Sequence, residues 1–178
     1  GPALQLAGYE NLSYGEDPGV ASKYGLDAVP AVIVEGCLAE MPEPPGEGVT
    51  ETSPGSGYFV LYNPPYFELL TGEVRGSVSI TYLVDPSCTD CGDINLVTNR
   101  TLMRGVEVSS ESTVRYDSPE GQELIEKYDI YFVPTFMISK ELGAYKDVSQ
   151  VFEESVGTVE SDGSYVFRNK ELLEWHIK

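Results

Sequence analysis

Cys88-Thr89-Asp90-Cys91 is the place in this 178-residue chain where residue types and spacing point most directly to chemistry. Two cysteines three positions apart can close a small disulfide and reopen it. A thiolate on Cys88 would attack a partner's disulfide, and Cys91 would resolve the mixed disulfide that results. Two cysteines at this spacing also begin many zinc sites, but zinc needs four ligands. Only Cys37 and His176 remain to complete such a set, and they lie in distant parts of the chain. No metal and no cofactor is therefore expected. A permanent structural disulfide in a binding module is the alternative to catalysis.

The elements that must position the pair are legible around it. Ser77–Val84 alternates, with Val78, Ile80 and Tyr82 on one face, and is predicted as a strand. Asp85-Pro86-Ser87 makes a turn. A helix is predicted from about Cys88 to Arg104, with Ile94, Val97 and Thr101 along one side and Gly105 stopping it. That start would place Cys88 in the first turn, where unsatisfied N–H groups and the dipole favour a thiolate. Cys91 would lie one turn inward. Thr89 and Asp90 would tune the pair, Asp90 by opposing the thiolate with its own charge.

Further along, Val106–Val108 and Thr113–Tyr116 supply an extended segment. Pro119–Tyr128 reads as a helix with Ser118 as its N-cap and proline at the first position, where a missing N–H costs nothing. Val133–Ser139, Gly157–Glu160 and Ser164–Arg168 read as strands. Asp162-Gly163 is a hairpin signal between the last two, and Lys170–Ile177 is a closing helix.

A second pattern organises the whole chain. Ser22-Lys23-Tyr24-Gly25-Leu26-Asp27-Ala28-Val29-Pro30-Ala31 matches Glu126-Lys127-Tyr128-Asp129-Ile130-Tyr131-Phe132-Val133-Pro134-Thr135 at both Lys-Tyr and Val-Pro. Upstream, Asp17-Pro18 answers Ser118-Pro119. Downstream, the turn and strand Ser53–Val60 answer Glu160–Phe167, with Tyr58 opposite Tyr165. Ordered matches of this kind indicate duplication. The first copy is expected to have a helix about one turn shorter and to lack the strand and cysteine-bearing segment of the second. Met41–Gly48 reads as a loop, and Asn63-Pro64-Pro65 as the start of the connection between units.

The order strand, turn, CxxC, helix, then Lys127-Tyr128-x-Ile130-x-x-Val133-Pro134-Thr135, resembles thioredoxin-fold proteins over residues 76–178. The resemblance implies an α/β fold with a mixed sheet flanked by helices, and a thiol–disulfide oxidoreductase. It also implies a cis proline at Pro134 against the cysteine pair. Val133, Pro134 and Thr135 then become the substrate-binding segment, with the Val133 backbone pairing to an extended peptide. The expected organisation is a truncated thioredoxin-like unit over residues 1–75, without CxxC, followed by a complete one over 76–178. It resembles two-unit protein disulfide oxidoreductases and isomerases, in which a unit without cysteines serves substrate binding or spacing. The chain departs from the family at Ser87, where an aromatic residue is usual, and at Tyr82, where a buried carboxylate is usual.

Charge bounds the partners. Against 11 basic residues stand 29 acidic ones, a net charge of −18. That field repels nucleic acid and anionic membranes. With Asp90 between the sulfurs and no cation near in sequence, reductase or isomerase activity is expected over strong oxidation. The expected partners are protein thiols or disulfides and a redox partner. A sheet edge left open by the shorter copy would be covered by this chain or by a second copy in a homodimer. No apolar run approaches the ~18 residues of a membrane span. Gly1-Pro2 reads as the remnant of tag cleavage, and an extracytoplasmic setting is expected, with any leader removed.

Overall fold

The computed structural model describes residues 8, 10–35, 49–50, 58–98, 103 and 105–174. Cys37, Met41–Gly48, Ser53–Gly57 and His176, which the sequence expectations involve, lie outside the described residues. The chain divides into two compact units, Gly1–Asn63 with Phe67–Glu73 and Pro64–Tyr66 with Val74–Lys178.

In the first unit, helix α1 (Gly19–Tyr24) follows Asp17, whose carboxylate accepts a hydrogen bond from the Gly19 N–H at 3.0 Å. It ends because Gly25 adopts φ 62°, a left-handed conformation that lets the Gly25 and Leu26 amides bond back to the Ala21 carbonyl. After a cis Val29–Pro30 bond within β1 (Ala28–Glu35), the chain continues to β2 (Val49–Thr50) and β3 (Tyr58–Glu68). The strands run in the order β1-β3-β2, antiparallel throughout. Asn63-Pro64-Pro65, expected to open the connection between units, lies inside β3, and the division into units falls between Asn63 and Pro64. There the β1–β3 ladder skips from Val29↔Phe67 to Ala31↔Tyr62. A proline has no N–H to give a ladder, so the break falls where Pro30, Pro64 and Pro65 sit.

The second unit begins with β4 (Val74–Arg75) and continues β5 (Val78–Val84), α2 (Ile94–Val97), β6 (Val108–Arg115), α3 (Pro119–Tyr128) and β7 (Thr135–Ile138). A 3₁₀ turn (Lys140–Ala144), α4 (Lys146–Ser155), β8 (Gly157–Val159), β9 (Tyr165–Phe167) and α5 (Glu171–Glu174) complete it. The sheet order is β6-β5-β7-β9-β8, with β5 and β6 parallel and every other pair antiparallel. Alternation along β5 sends Val78, Ile80 and Tyr82 into one core with Phe136, Phe152 and Phe167. Leu83 turns to the other face, against Val114, Tyr128, Met137 and Val166. Phe136 and Phe167 stack with centroids 4.9 Å apart, and Phe152 meets Phe136 edge-on at 6.2 Å. Each of these fully buried rings contributes about 1.5–3 kcal/mol through burial.

α3 has the expected caps. Ser118 Oγ accepts from the Gly121 N–H at 3.0 Å, Pro119 occupies the first turn, and Asp129 closes the helix at φ 49°. Two other elements differ from expectation. The helix predicted from Cys88 begins at Ile94, because Asp93 caps it by accepting from the Asn95 N–H at 3.0 Å. The helix α4 was not anticipated at all, and it stands between β7 and the hairpin. It has no side-chain cap, and is held instead by Phe152 and Val156 in the core. The hairpin also enters the sheet through β9, its second strand, leaving β8 at the edge.

The two units share a local pattern. In the first, Ile33↔Val60 and Thr50↔Val60 pair across three strands; in the second, Met137↔Val166 and Thr158↔Val166 do. Counting from Pro30 and Pro134, these are the same rungs. Lys23 Nζ donates to Tyr24 Oη at 2.6 Å, and Lys127 Nζ to Tyr128 Oη at 2.7 Å, each ammonium lying over its tyrosine ring. α1 has 6 residues and α3 has 10.

A carboxylate network ties α3 to the hairpin. Asp162 accepts from Lys127 Nζ at 2.7 Å, from Tyr128 Oη at 3.0 Å and from the Ser164 N–H at 2.9 Å. The Lys127 ammonium, and then the Ser164 amide, hold the Asp162 carboxyl well below the usual range. Glu160 is also lowered, by the Thr158 hydroxyl and then by Arg168. A carboxyl depressed on folding stabilises the fold above its unfolded pKa, and that stabilisation is lost as pH falls through the folded one. The urea midpoint is therefore expected to drop below about pH 4, the unfolded carboxyl range. Asp162→Asn should lower it at pH 7 and approach the wild type near pH 2. Equal midpoint differences at both pH values would remove Asp162 from the acid response.

Candidate functional site

The site hangs from neighbouring rungs of one ladder. β5 and β7 pair at Leu83↔Thr135, so the loop leaving β5 and the loop entering β7 emerge side by side. Leaving β5, Asp85 forms an Asx turn, its Oδ1 accepting from the Ser87 N–H at 2.9 Å and from Ser87 Oγ at 2.6 Å. The Cys88 N–H donates to the Asp85 carbonyl at 3.2 Å. Cys88 and Cys91 are joined as a disulfide with Cα atoms 5.5 Å apart. Both cysteines, Thr89 and Asp90 are exposed. Gly92 packs on the closing helix, where an added Cβ would come within 3.0 Å of the Leu173 carbonyl. The chain then turns into the Asp93 cap.

Entering β7, the Val133–Pro134 bond is cis and Pro134 is buried. A cleft of about 190 Å³ is lined by Cys88, Cys91, Pro134, Asp85, Asp93 and Asn95, among others. The structure thus brings the cysteines and Pro134 to one cavity. Val133 is half-buried beside it. Thr135 is 1% exposed, and its hydroxyl donates to the Phe167 carbonyl at 3.1 Å, so the side chain serves the interior. Asp85, Asp93 and Asn95 are lining residues that sequence reasoning did not single out. The Asp85-Pro86-Ser87 turn and the Asp93-Ile94-Asn95 cap were the signals that could have found them.

Two consequences for the chemistry follow. The disulfide precedes α2 instead of opening it, and the Asp93 carboxylate already takes the first free amide there. The thiolate support expected from a helix N-terminus is therefore missing at Cys88. On β5, Tyr82 is buried and its hydroxyl meets Thr98 Oγ1 at 3.0 Å. Burial pushes its phenol up, so Tyr82 is neutral at this position. No cluster of histidine, cysteine and carboxylate able to hold a metal ion occurs among the described residues.

No protein-family model and no curated protein matches the sequence. A solved structure, the solution structure of a thioredoxin from Thermus thermophilus, is similar at 22% identity over 43% of this chain and 74% of that one, with a TM-score of 0.26. The mixed α/β architecture rests on the strand order and pairing above, which are compatible with a thioredoxin-like fold.

Proposed function

We propose that the chain is a thiol–disulfide oxidoreductase acting on protein thiols through Cys88 and Cys91, in the reducing or isomerising direction. The observation that carries this reading is an exposed disulfide opening onto the same cleft as the cis proline at Pro134. Cys88 is the sulfur that partners attack, Cys91 the resolving one, and the Val133 backbone the seat for an extended peptide. Carboxylates without a compensating cation among the described lining residues disfavour thiolates, which favours the disulfide and argues against strong oxidation. The first unit, which repeats the rungs of β7-β9-β8 without a cysteine pair in its described part, is a truncated thioredoxin-like unit serving substrate binding or spacing. An intrachain disulfide suits an oxidising, extracytoplasmic compartment, and no helix among the described residues is long and apolar enough to cross a membrane.

A second reading is a binding module in which the disulfide only staples the β5–α2 loop. The late start of α2 favours it, because the cysteines lose the helix terminus that would activate them. Equilibration in glutathione buffers of graded potential separates the two. Exchange within minutes, while the near-UV dichroism of the folded protein persists, is the expected result. A disulfide that yields only when the protein is denatured would establish the staple instead.

A further inference from the structure

We propose that the disulfide is built to exchange with positively charged partners, cysteines set among lysines or arginines, and to discriminate against anionic thiols. This rests on the exchange reading above and names the substrate class of that same site.

The cleft presents two carboxylates, Asp85 and Asp93, beside the two sulfurs, and Asp90 stands between the cysteines in sequence. Asp85 takes its hydrogen bonds from Ser87, and Asp93 takes its from Asn95. These donors are neutral, so they fix both carboxylates in place without cancelling their charge. Among the described residues, no lysine, arginine or histidine lines the cleft. Arg115 feels Asp85 at longer range, but it is doubly bonded to Asp117 at 2.9 and 2.8 Å, and that pair carries no net charge.

Reduction makes this arrangement matter. A partner thiolate attacks Cys88 Sγ, a new S–S bond forms, and the Cys88–Cys91 bond breaks with its electron pair leaving on Cys91. A second partner thiolate attacks the partner sulfur of the mixed disulfide and releases Cys88 as a thiolate. Two partner thiols are oxidised to one disulfide and the protein gains two electrons. In each transition state a full negative charge is spread over three sulfurs next to carboxylates. A cation carried on the partner offsets that charge, and an anion adds to it.

The test uses three small thiols: cysteamine (cationic), 2-mercaptoethanol (neutral) and 2-mercaptoethanesulfonate (anionic). Rates of reduction of the native disulfide are expressed per thiolate and normalised to the same thiol acting on bis(2-hydroxyethyl) disulfide. The expected order is cation, neutral, anion, with about a tenfold spread from first to last at low ionic strength. The spread should shrink at about 0.5 M salt, where charges more than ~4–5 Å apart are largely screened. Asp90→Asn, which alters an exposed side chain, should narrow it by roughly twofold. Equal normalised rates for all three thiols would overturn the charge preference and leave the exchange reading standing. A native disulfide inert to all three would overturn both.

Discussion

Cys88→Ser is expected to bring reduction of a protein disulfide, such as those of insulin, down to the uncatalysed background. Serine offers no polarisable nucleophile at neutral pH, and Cys91, left without its partner, cannot complete the two-thiol reduction. Cys91→Ser should behave differently. Its Cys88 can still attack but cannot be released, so a covalent adduct with the substrate should accumulate and be visible by mass. Both variants also lose a cross-link that closes a very small loop, worth about 2 kcal/mol in the chain-entropy account. A protein with a core of this size should remain folded without it. Wild-type turnover in either variant would show that the pair is not the reacting group.

The second large effect concerns stability. Gly157→Ala is expected to cost about 3 kcal/mol, the upper part of the usual range for overpacking. At Gly157 a Cβ would run into the Val166 carbonyl oxygen and come within 2.8 Å of Phe152 Cε1. The first obstacle is backbone in the neighbouring strand, and the second is a ring with no exposure, packed edge-on against Phe136 and Tyr165. Neither can yield without opening the β8–β9 pair or displacing the core. For a protein of this length the melting temperature should fall by roughly 6–12 °C. Gly15→Ala is the control, because its new Cβ would meet only Ser13 Oγ at 3.9 Å. A Gly157→Ala melting point matching the control would mean that β8 does not pack on β9 as described.

What could be read in the sequence was mostly local. The faces of β5 are visible because alternation holds over five consecutive residues, Val78–Tyr82, and α3 because Ser118-Pro119 states its start chemically. The start of α2 differs from the expected Cys88 because Asp93-Ile94-Asn95, and not the cysteines, carries the capping chemistry. An aspartate two positions before an amide it can bond is a stronger signal than a cysteine. α4 was missed because it carries no capping side chain, and its stability comes from tertiary contacts that no local pattern announces. The sequence match sets Tyr58 against Tyr165, whereas the ladders put Phe59 at the rung of Tyr165. Turn lengths decide register, and these cannot be counted from aromatic residues. At the site, the cysteines and Pro134 were named from sequence, but their carboxylate neighbours were not.

The pairing of Leu83 with Thr135 has an evolutionary corollary. The spacing between the cysteine loop and the proline loop is inherited from the hydrogen-bond repeat of two adjacent strands, about 4.8 Å, and owes little to which side chains the loops carry. Loop residues such as Ser87, Thr89 and Asp90 are therefore free to drift without moving the sulfurs away from the proline. Substitutions at those positions can change the charge around the disulfide while the spacing of the two loops stays constant. A lineage evolving this way would keep its strand order long after its sequence had ceased to resemble its relatives.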